Sequence, residues 1–519
     1  MIRSFLTVST GTLASRLLGF VRDSMIAALL GTGPIADAFL VAFQLVNVVR
    51  RLLTEGALNA ALVPVWLRLR EIEGEAAAAA FAGRVLATVS VVLIALSALI
   101  GLLMPLLLIA AAPGFAGKET LRLAADDARL MLPYLAFAGP STVILALLSA
   151  QSRFALTAFS PLLFNIALIA VMIVLMLARR DPGFVALALA ATVGIAGLLQ
   201  LAMLVLRRGT AGIAKPLRVS FAADMRGFLA RAVPGMVANS APQLLIVGGA
   251  VIASSSPSAV SWLYFANRLI ELPLGIVGVA MGTVVVSELT RGIRSRNEGA
   301  IARAQSHALE LAAGLALPAT LGLIVLSEPI VRLLFEHGAF TTEDTAATAQ
   351  ALVWLALALP ANVLTKALLP SFFAREDTTT PLKASVIGFV VAIIAAFTLD
   401  RLFGASGVAG GIALGAWSGT VALIRRGRLS FGFSILPATP RRLVRITGAA
   451  FAMAALLWLA ARTPALNPPA HGLAQAIPLG LLIAGTVAVY LLLLALFGIA
   501  GWRETVNMIR PGKPRDLRS

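Results

Sequence analysis

Apolar residues recur along this chain in runs of about 20, the length a helix needs to cross a hydrocarbon core of roughly 30 Å. Short breaks of Gly, Pro and charge separate the runs. They predict fourteen spans, near 9–31, 35–57, 84–112, 127–150, 159–178, 184–206, 229–254, 259–289, 306–328, 346–369, 382–399, 405–424, 443–461 and 474–500. Only helices satisfy every backbone polar group inside such segments. The expected fold class is therefore an all-α integral membrane protein of fourteen transmembrane helices. Arg16 and Arg22 interrupt the first run and no small-residue cleavage site follows it, so that run is expected to stay as a span.

The runs also repeat. "EGALNAALVP" at 55–64 resembles "VGVAMGTVVV" at 277–286, and "LLSAQSRF" at 147–154 resembles "LLPSFFAR" at 368–375, at offsets of 220 to 222 residues. Six spans, an even number, fit inside that offset, so the halves would share one orientation, as in parallel-repeat transporters. The expected domains are a six-helix lobe at 1–208, a cytoplasmic linker at 209–228, a second six-helix lobe at 229–428, and two additional helices with a basic tail at 429–519.

Composition agrees with a membrane chain: of 519 residues, 59% are hydrophobic and 13% charged, where soluble proteins carry about 25% charged residues. The formal net charge of +18 could suggest nucleic acid, but most of the 42 Lys and Arg lie in connectors, 28 on one side and 8 on the other. Such asymmetry sets topology and places both termini in the cytoplasm. With zero cysteines there can be no disulfide, thiol chemistry or Cys-ligated metal.

Six cations fall within spans: Arg16, Arg22, Arg50, Arg51, Arg268 and Lys366. Each Arg at a helix centre costs about 2.5 to 3.5 kcal/mol on insertion scales, and such groups face an interior or a wet cavity. Pairing with Asp23, Asp37, Glu55 and Glu271, or snorkelling to a membrane face, would explain single residues. Arg16 and Asp23, seven apart, share a helical face; Arg22 lies about a third of a turn away in an ideal helix, and Gly19 could allow a bend. Even with every acid paired, cations remain in slight excess. A cationic cavity follows, and Arg presents the planar fork that grips phosphate oxygens. Around Arg268, Pro273 and Gly278-x-x-x-Gly282 permit a kink and close helix packing.

Enzyme chemistry finds little support. His307, His337 and His471 are isolated in the sequence, Asp126-Asp127 reads as a solvated helix start, and "GFAGKET" around Lys118 is a loop rather than a phosphate-binding motif. The expectation is no catalytic residue, no metal and no cofactor.

"SRLLGFVRD", "DAFLVAFQLVNVVRRLLTEGALNAALVP", "RLIELPLGIVGVAMGTVV", "LLFEHGAFTTEDT" and "SFFAREDTTTPLK" together resemble the MurJ (MviN) family of bacterial lipid II flippases, in the multidrug/oligosaccharidyl-lipid/polysaccharide exporter superfamily. The resemblance implies two six-helix lobes around a cationic cavity and two last helices that shape a groove for the lipid tail. It implies substrate-binding roles for Arg16, Arg22, Arg50 and Arg268, and supporting or gating roles for Asp23, Asp37 and Glu55. Arg51 and Glu271 join the supporting group. Departures are Gln44-Leu45-Val46-Asn47 where many members have Lys-Leu-Pro-Asn, and Phe265-Ala266-Asn267-Arg268 in place of Tyr-Ala-Asp-Arg.

The function so implied is a flippase that carries lipid II, the lipid-linked peptidoglycan precursor, from the cytoplasmic to the outer leaflet of the bacterial inner membrane by alternating access. The alternative cargo is another polyprenyl-pyrophosphate-linked glycan, because the recognised group is shared. The membrane potential is the expected driving force. Spans 7 and 11 have no centrally placed Asp or Glu, which argues against sodium coupling. Expected partners are lipid II, the phospholipid bilayer and cell-wall synthesis proteins, with no nucleic acid.

Overall fold

The computed structural model describes the chain apart from residues 1, 55–56, 152–153, 207–213, 221, 223–224, 226–247, 250, 281–287, 290, 293–294, 296, 374, 376, 378, 434, 464–472 and 500–519. Among the described residues the regular structure is helical, without a strand. Helices α1 (Ile2–Leu30) and α2 (Pro34–Thr54) carry the first charged stretch. Gly31 and Gly33 break them apart with φ of 61° and 116°, and Pro34 opens α2 where its missing N–H costs nothing.

The next elements are α3 (Ala57–Ile72), α4 (Glu75–Leu102), α5 (Met104–Ala111), α6 (Glu119–Met131), α7 (Pro133–Ala150), α8 (Phe154–Ala178) and α9 (Pro182–Leu206). Proline sets several of these boundaries: Pro105 and Pro133 sit at the first positions of α5 and α7. The described helices that follow are α10 (Ala259–Ala280), α11 (Glu298–Val325), α12 (Ser327–Phe335), α13 (Thr342–Ala356), α14 (Leu359–Phe373), α15 (Thr379–Phe403), α16 (Ala405–Ser430), α17 (Thr439–Ala461) and α18 (Leu473–Leu496).

Ten described helices are long and apolar enough to cross a membrane, and they coincide with ten of the predicted spans, the third to sixth and the ninth to fourteenth. Predicted spans 1, 2 and 8 are the charge-bearing helices α1, α2 and α10. Most of span 7 lies outside the described residues. The chain is thus a multi-pass helical membrane protein.

Two details differ from the sequence reading. The stretch after span 2, expected as a connector, forms α3, because Leu62 and Trp66 bury against Phe81, Val85 and Val143 of α4 and α7. Likewise Asp127 is no solvated helix start: α6 begins at Glu119, and eight residues later Asp127 is buried, while its neighbour Asp126 stays out and pairs with Arg129 at 3.6 Å.

Packing divides the chain into two compact units, one made of 1–268, 334–351 and 389–415, the other of 269–333, 352–388 and 416–519. In the first, small residues let backbones meet: Gly194 packs on the Leu130 carbonyl and Gly197 on Tyr134, bringing α9 against α6 and α7. In the second, α11 packs with α17 and α14, and Ala449, Ala450 and Met453 of α17 bury against Leu317 and Tyr490. Apolar side chains on outward faces, such as Ile94, Val174, Ile394 and Leu481, are largely exposed, as a helix facing lipid requires.

Candidate functional site

The site is built on α1, α8 and the part of α10 up to Arg268, all in the first unit. Arg22 and Asp23 follow one another on α1, and the fork of Arg22 turns back on its neighbour: Nε and the Nη2 group both donate to Asp23 Oδ1, at 2.9 and 2.6 Å. The remaining arm donates from Nη1 to Asn165 Oδ1 on α8 at 2.9 Å. Asn165 in turn donates from Nδ2 to the Ser15 carbonyl on α1 at 3.1 Å, so one amide fixes both the helix and its arginine. The Arg22 guanidinium also lies over the rings of Phe43 and Phe164, 5.1 and 5.8 Å from their centroids, a placement favourable to a cation.

Arg268 reaches the same carboxylate from α10. Its Nε stands 2.5 Å from Asp23 Oδ2, and the Tyr264 hydroxyl, one turn earlier, donates to Oδ1 at 3.3 Å. Room for this reach comes from Gly19. A Cβ at that position would stand 2.7 Å from Arg268 Nη2. The glycine that suggested a bend in the sequence sits in unbroken helix and serves instead as space for a guanidinium.

Charge balance follows. Two guanidinium groups share one carboxylate, which leaves the trio with a net positive charge. The Asp23 side chain is fully buried, Arg22 nearly so at 10% exposure, and Arg268 is the open member at 19%. Removing an ion from water costs several kcal/mol, and an anion with fork-matching oxygens placed at the open side would offset part of that cost. The residues present suit a phosphate or pyrophosphate, the group Arg binds through paired N–H donors.

The other predicted residues fall elsewhere. Arg16, two turns before Asp23 on α1, is half-buried and makes no ion pair with an acid among the described residues. Arg50 lies near the far end of α2, where its Nε donates to Asn47 Oδ1 at 3.1 Å. Glu271 is half-buried one turn beyond Arg268. The side chain of Arg51 and the whole of Glu55 lie outside the described residues. Lys366, on α14 of the second unit, donates to the Leu274 carbonyl at 3.4 Å.

Asp37 holds no arginine in the described structure. Its carboxylate accepts the Ser258 and Ser261 N–H groups at 2.9 Å each, and the Ser261 hydroxyl at 2.5 Å. These are donors of the first turn of α10, so Asp37 acts as a helix cap lent by α2, and its negative charge suits that helix end. Sequence reasoning missed this role, and also Asn165 and Tyr264. A buried amide inside an otherwise apolar run, "SPLLFNIALIAVM", was the available signal for Asn165.

Comparison with known proteins gives a consistent result. The family model described as lipid II flippase MurJ matches residues 26–467. A relative from Rhizobium meliloti (strain 1021), described as a probable lipid II flippase MurJ, is 37% identical over 523 residues, covering 98% of this chain and 96% of its own. Among solved structures, a lipid II flippase MurJ in an inward closed conformation matches with a TM-score of 0.79 at 23% identity, covering 96% of this chain and 100% of that one. An inward-facing multidrug resistance MATE family transporter of the MOP superfamily matches at 0.68 and 15% identity, covering 82% and 97%. At such identities the structural matches speak for the fold.

Proposed function

The chain belongs to the lipid II flippase MurJ family, and from that premise we propose that the Arg22–Asp23–Arg268 trio grips the pyrophosphate of lipid II while the head group crosses the membrane. The protein is a transporter, and its work is a change of access rather than of bonds. One observation carries the assignment of the site: a buried and a partly exposed guanidinium share a single carboxylate.

Lipid II enters from the cytoplasmic leaflet, with its polyprenyl tail left in lipid. Its pyrophosphate meets Arg268 first, the more exposed partner, and draws that guanidinium from Asp23. Arg22 stays anchored by Asn165 and the two rings and supplies the second fork. Arg16 and Arg50 add positive potential along the path. After the lobes rock to the outward side, Asp23 reclaims Arg268 and the anion is released. Competition by a resident carboxylate keeps binding from becoming a trap.

With the cytoplasm negative, outward movement of an anionic head is favoured by about 2.3 kcal/mol per charge per 100 mV. The membrane potential is thus a sufficient drive, without a sodium ion or a cofactor. Both termini face the cytoplasm of the inner membrane, as the connector charges require. Phospholipid surrounds the chain, and cell-wall synthesis proteins are its expected protein partners.

The test uses purified protein in vesicles carrying lipid II, with outward accessibility of the head group as readout. Arg268→Ala should lower flipping about tenfold or more, since a hydrogen bond to a charged group is worth about 1.5 to 3 kcal/mol. Arg268→Lys, which keeps the charge and loses the fork, should fall between. Undiminished flipping by Arg268→Ala at normal protein abundance overturns the site. Full-rate flipping after the potential is dissipated overturns the energetic part alone.

A further inference from the structure

The motif "FEHGAFTTEDT" at 335–345 has no part in the anion site, yet its placement in the fold is specific. It joins α12 to α13 and lies on the turn between α1 and α2. Helix α1 leaves the Ala28 carbonyl without a partner of its own, as every helix end does. The Ala339 N–H donates to it at 2.8 Å. Two glycines make this approach possible. A Cβ on Gly31 would stand 2.5 Å from the Ala339 carbonyl oxygen, and a Cβ on Gly338 would collide with the Ala28 carbonyl; both residues take positive φ, 61° and 60°. Beneath the contact, the Ser24 hydroxyl donates to the Leu334 carbonyl, and Phe335 and Phe340 pack on Phe265 with centroids 5.1 and 5.6 Å away.

Asp344 ties this arrangement together. Its Oδ2 accepts the N–H and hydroxyl of Thr341 at 2.9 and 2.8 Å, and its own N–H reaches the Thr341 hydroxyl at 3.2 Å. That much is a capping box for α13 and needs no other segment. Its Oδ1, however, accepts the Thr32 hydroxyl from the α1–α2 turn at 2.6 Å and the Trp262 indole N–H from α10 at 3.1 Å. Those two bonds serve nothing in α13. They fasten three separate segments to one buried carboxylate, and all the donors are neutral.

We propose that residues 336–344 form a clasp over the α1–α2 turn, locked by the Thr32 and Trp262 bonds to Asp344, and that the clasp must open once in each transport cycle. By the connector charges this turn faces outward, which makes the clasp the exit seal. Hydrogen bonds of this kind suit a seal that opens repeatedly, because each group exposed on opening exchanges its partner for water. The proposal rests on the flippase reading for what passes through. Its structural content, that the seam opens, stands apart from the cargo.

The absence of cysteine in the chain allows the test. A Ser24→Cys reporter lies under the clasp and can be labelled from outside by a membrane-impermeant maleimide. Thr32→Val with Trp262→Phe removes both locking donors and leaves the capping box intact. Labelling of the reporter should rise about thirtyfold, the factor that two hydrogen bonds of about 1 kcal/mol each amount to. An unchanged labelling rate overturns the lock and reduces Asp344 to a cap. In the second arm, Ala28→Cys with Ala339→Cys is bridged by a short cleavable bis-maleimide. Flipping of lipid II in vesicles should stop and return on cleavage, and continued flipping by bridged protein overturns the need for opening. The labelling arm reads conformation without lipid II, so a wrong cargo would leave it unaffected.

Discussion

Two stretches of α1, less than two turns apart, meet their neighbours with opposite chemistry. At Arg22–Asp23 the partners are charged and unequal in number, with two guanidiniums to one carboxylate. At Ala28–Gly31 the partners are backbone amides and hydroxyls, and the nearby carboxylate of Asp344 is met wholly by neutral donors. Two cations on one carboxylate leave a net positive charge. Asp344 is charged as well, but hydroxyl, indole and backbone donors stabilise it, and each of these can exchange its bond for one to water when the contact opens. On the proposed reading, one helix carries a binding element and a sealing element. A third arrangement in the second unit shows what solvent does to the same ingredients: Arg442 pairs with Glu310 at 3.2 Å, but its side chain is half exposed.

These differences can be broken one at a time. The largest effect should come from Asp23→Asn, which leaves buried Arg22 and partly exposed Arg268 facing each other without the carboxylate they share. Loss of one partner from a buried ion pair costs about 3 to 5 kcal/mol, so thermal unfolding in detergent should fall sharply, and added pyrophosphate should restore part of the loss. Asp37→Asn keeps the shape of the cap and removes its charge. A loss of about 1 to 2 kcal/mol is expected in the same assay, with Arg268-dependent flipping reduced rather than abolished because α10 frays at its first turn.

Gly19→Ala separates position from stability. The added methyl meets the flexible end of Arg268, so unfolding should scarcely change while flipping drops several-fold. Equal losses in both would mean that Gly19 serves packing rather than the guanidinium. Glu310→Gln should have the smallest effect, about 0.2 to 1 kcal/mol and diminishing with salt, as exposed ion pairs do.

Much of this architecture could be read from the sequence, because membrane crossing imposes length and hydropathy on each segment separately. α4, α8 and α18 are long apolar stretches, and nothing distant changes that reading. The charged residues were legible as a group for a related reason, since an arginine inside an apolar run is conspicuous wherever it pairs. Their partners were not. An ideal helical wheel sends Arg22 away from Asp23, yet the long side chain folds back along the helix surface to reach the adjacent carboxylate. Asp37 was grouped with the arginines by its charge, while its donors lie more than 220 residues away at the start of α10. Gly19 and Gly338 illustrate the same limit: a glycine announces freedom or space, but only the fold says which group fills that space.

The position of Arg22 along α1 has one more consequence. It stands twenty residues after the start of the helix and eight before its end, about 30 Å from one and about 12 Å from the other. On the proposed topology, and counted along the predicted span 9–31, a pyrophosphate that has reached this arginine has crossed somewhat more than half of the bilayer. Loading then senses somewhat more of the transmembrane field than the final exit does, so a change in voltage should alter how fast the carrier fills more than how fast it empties.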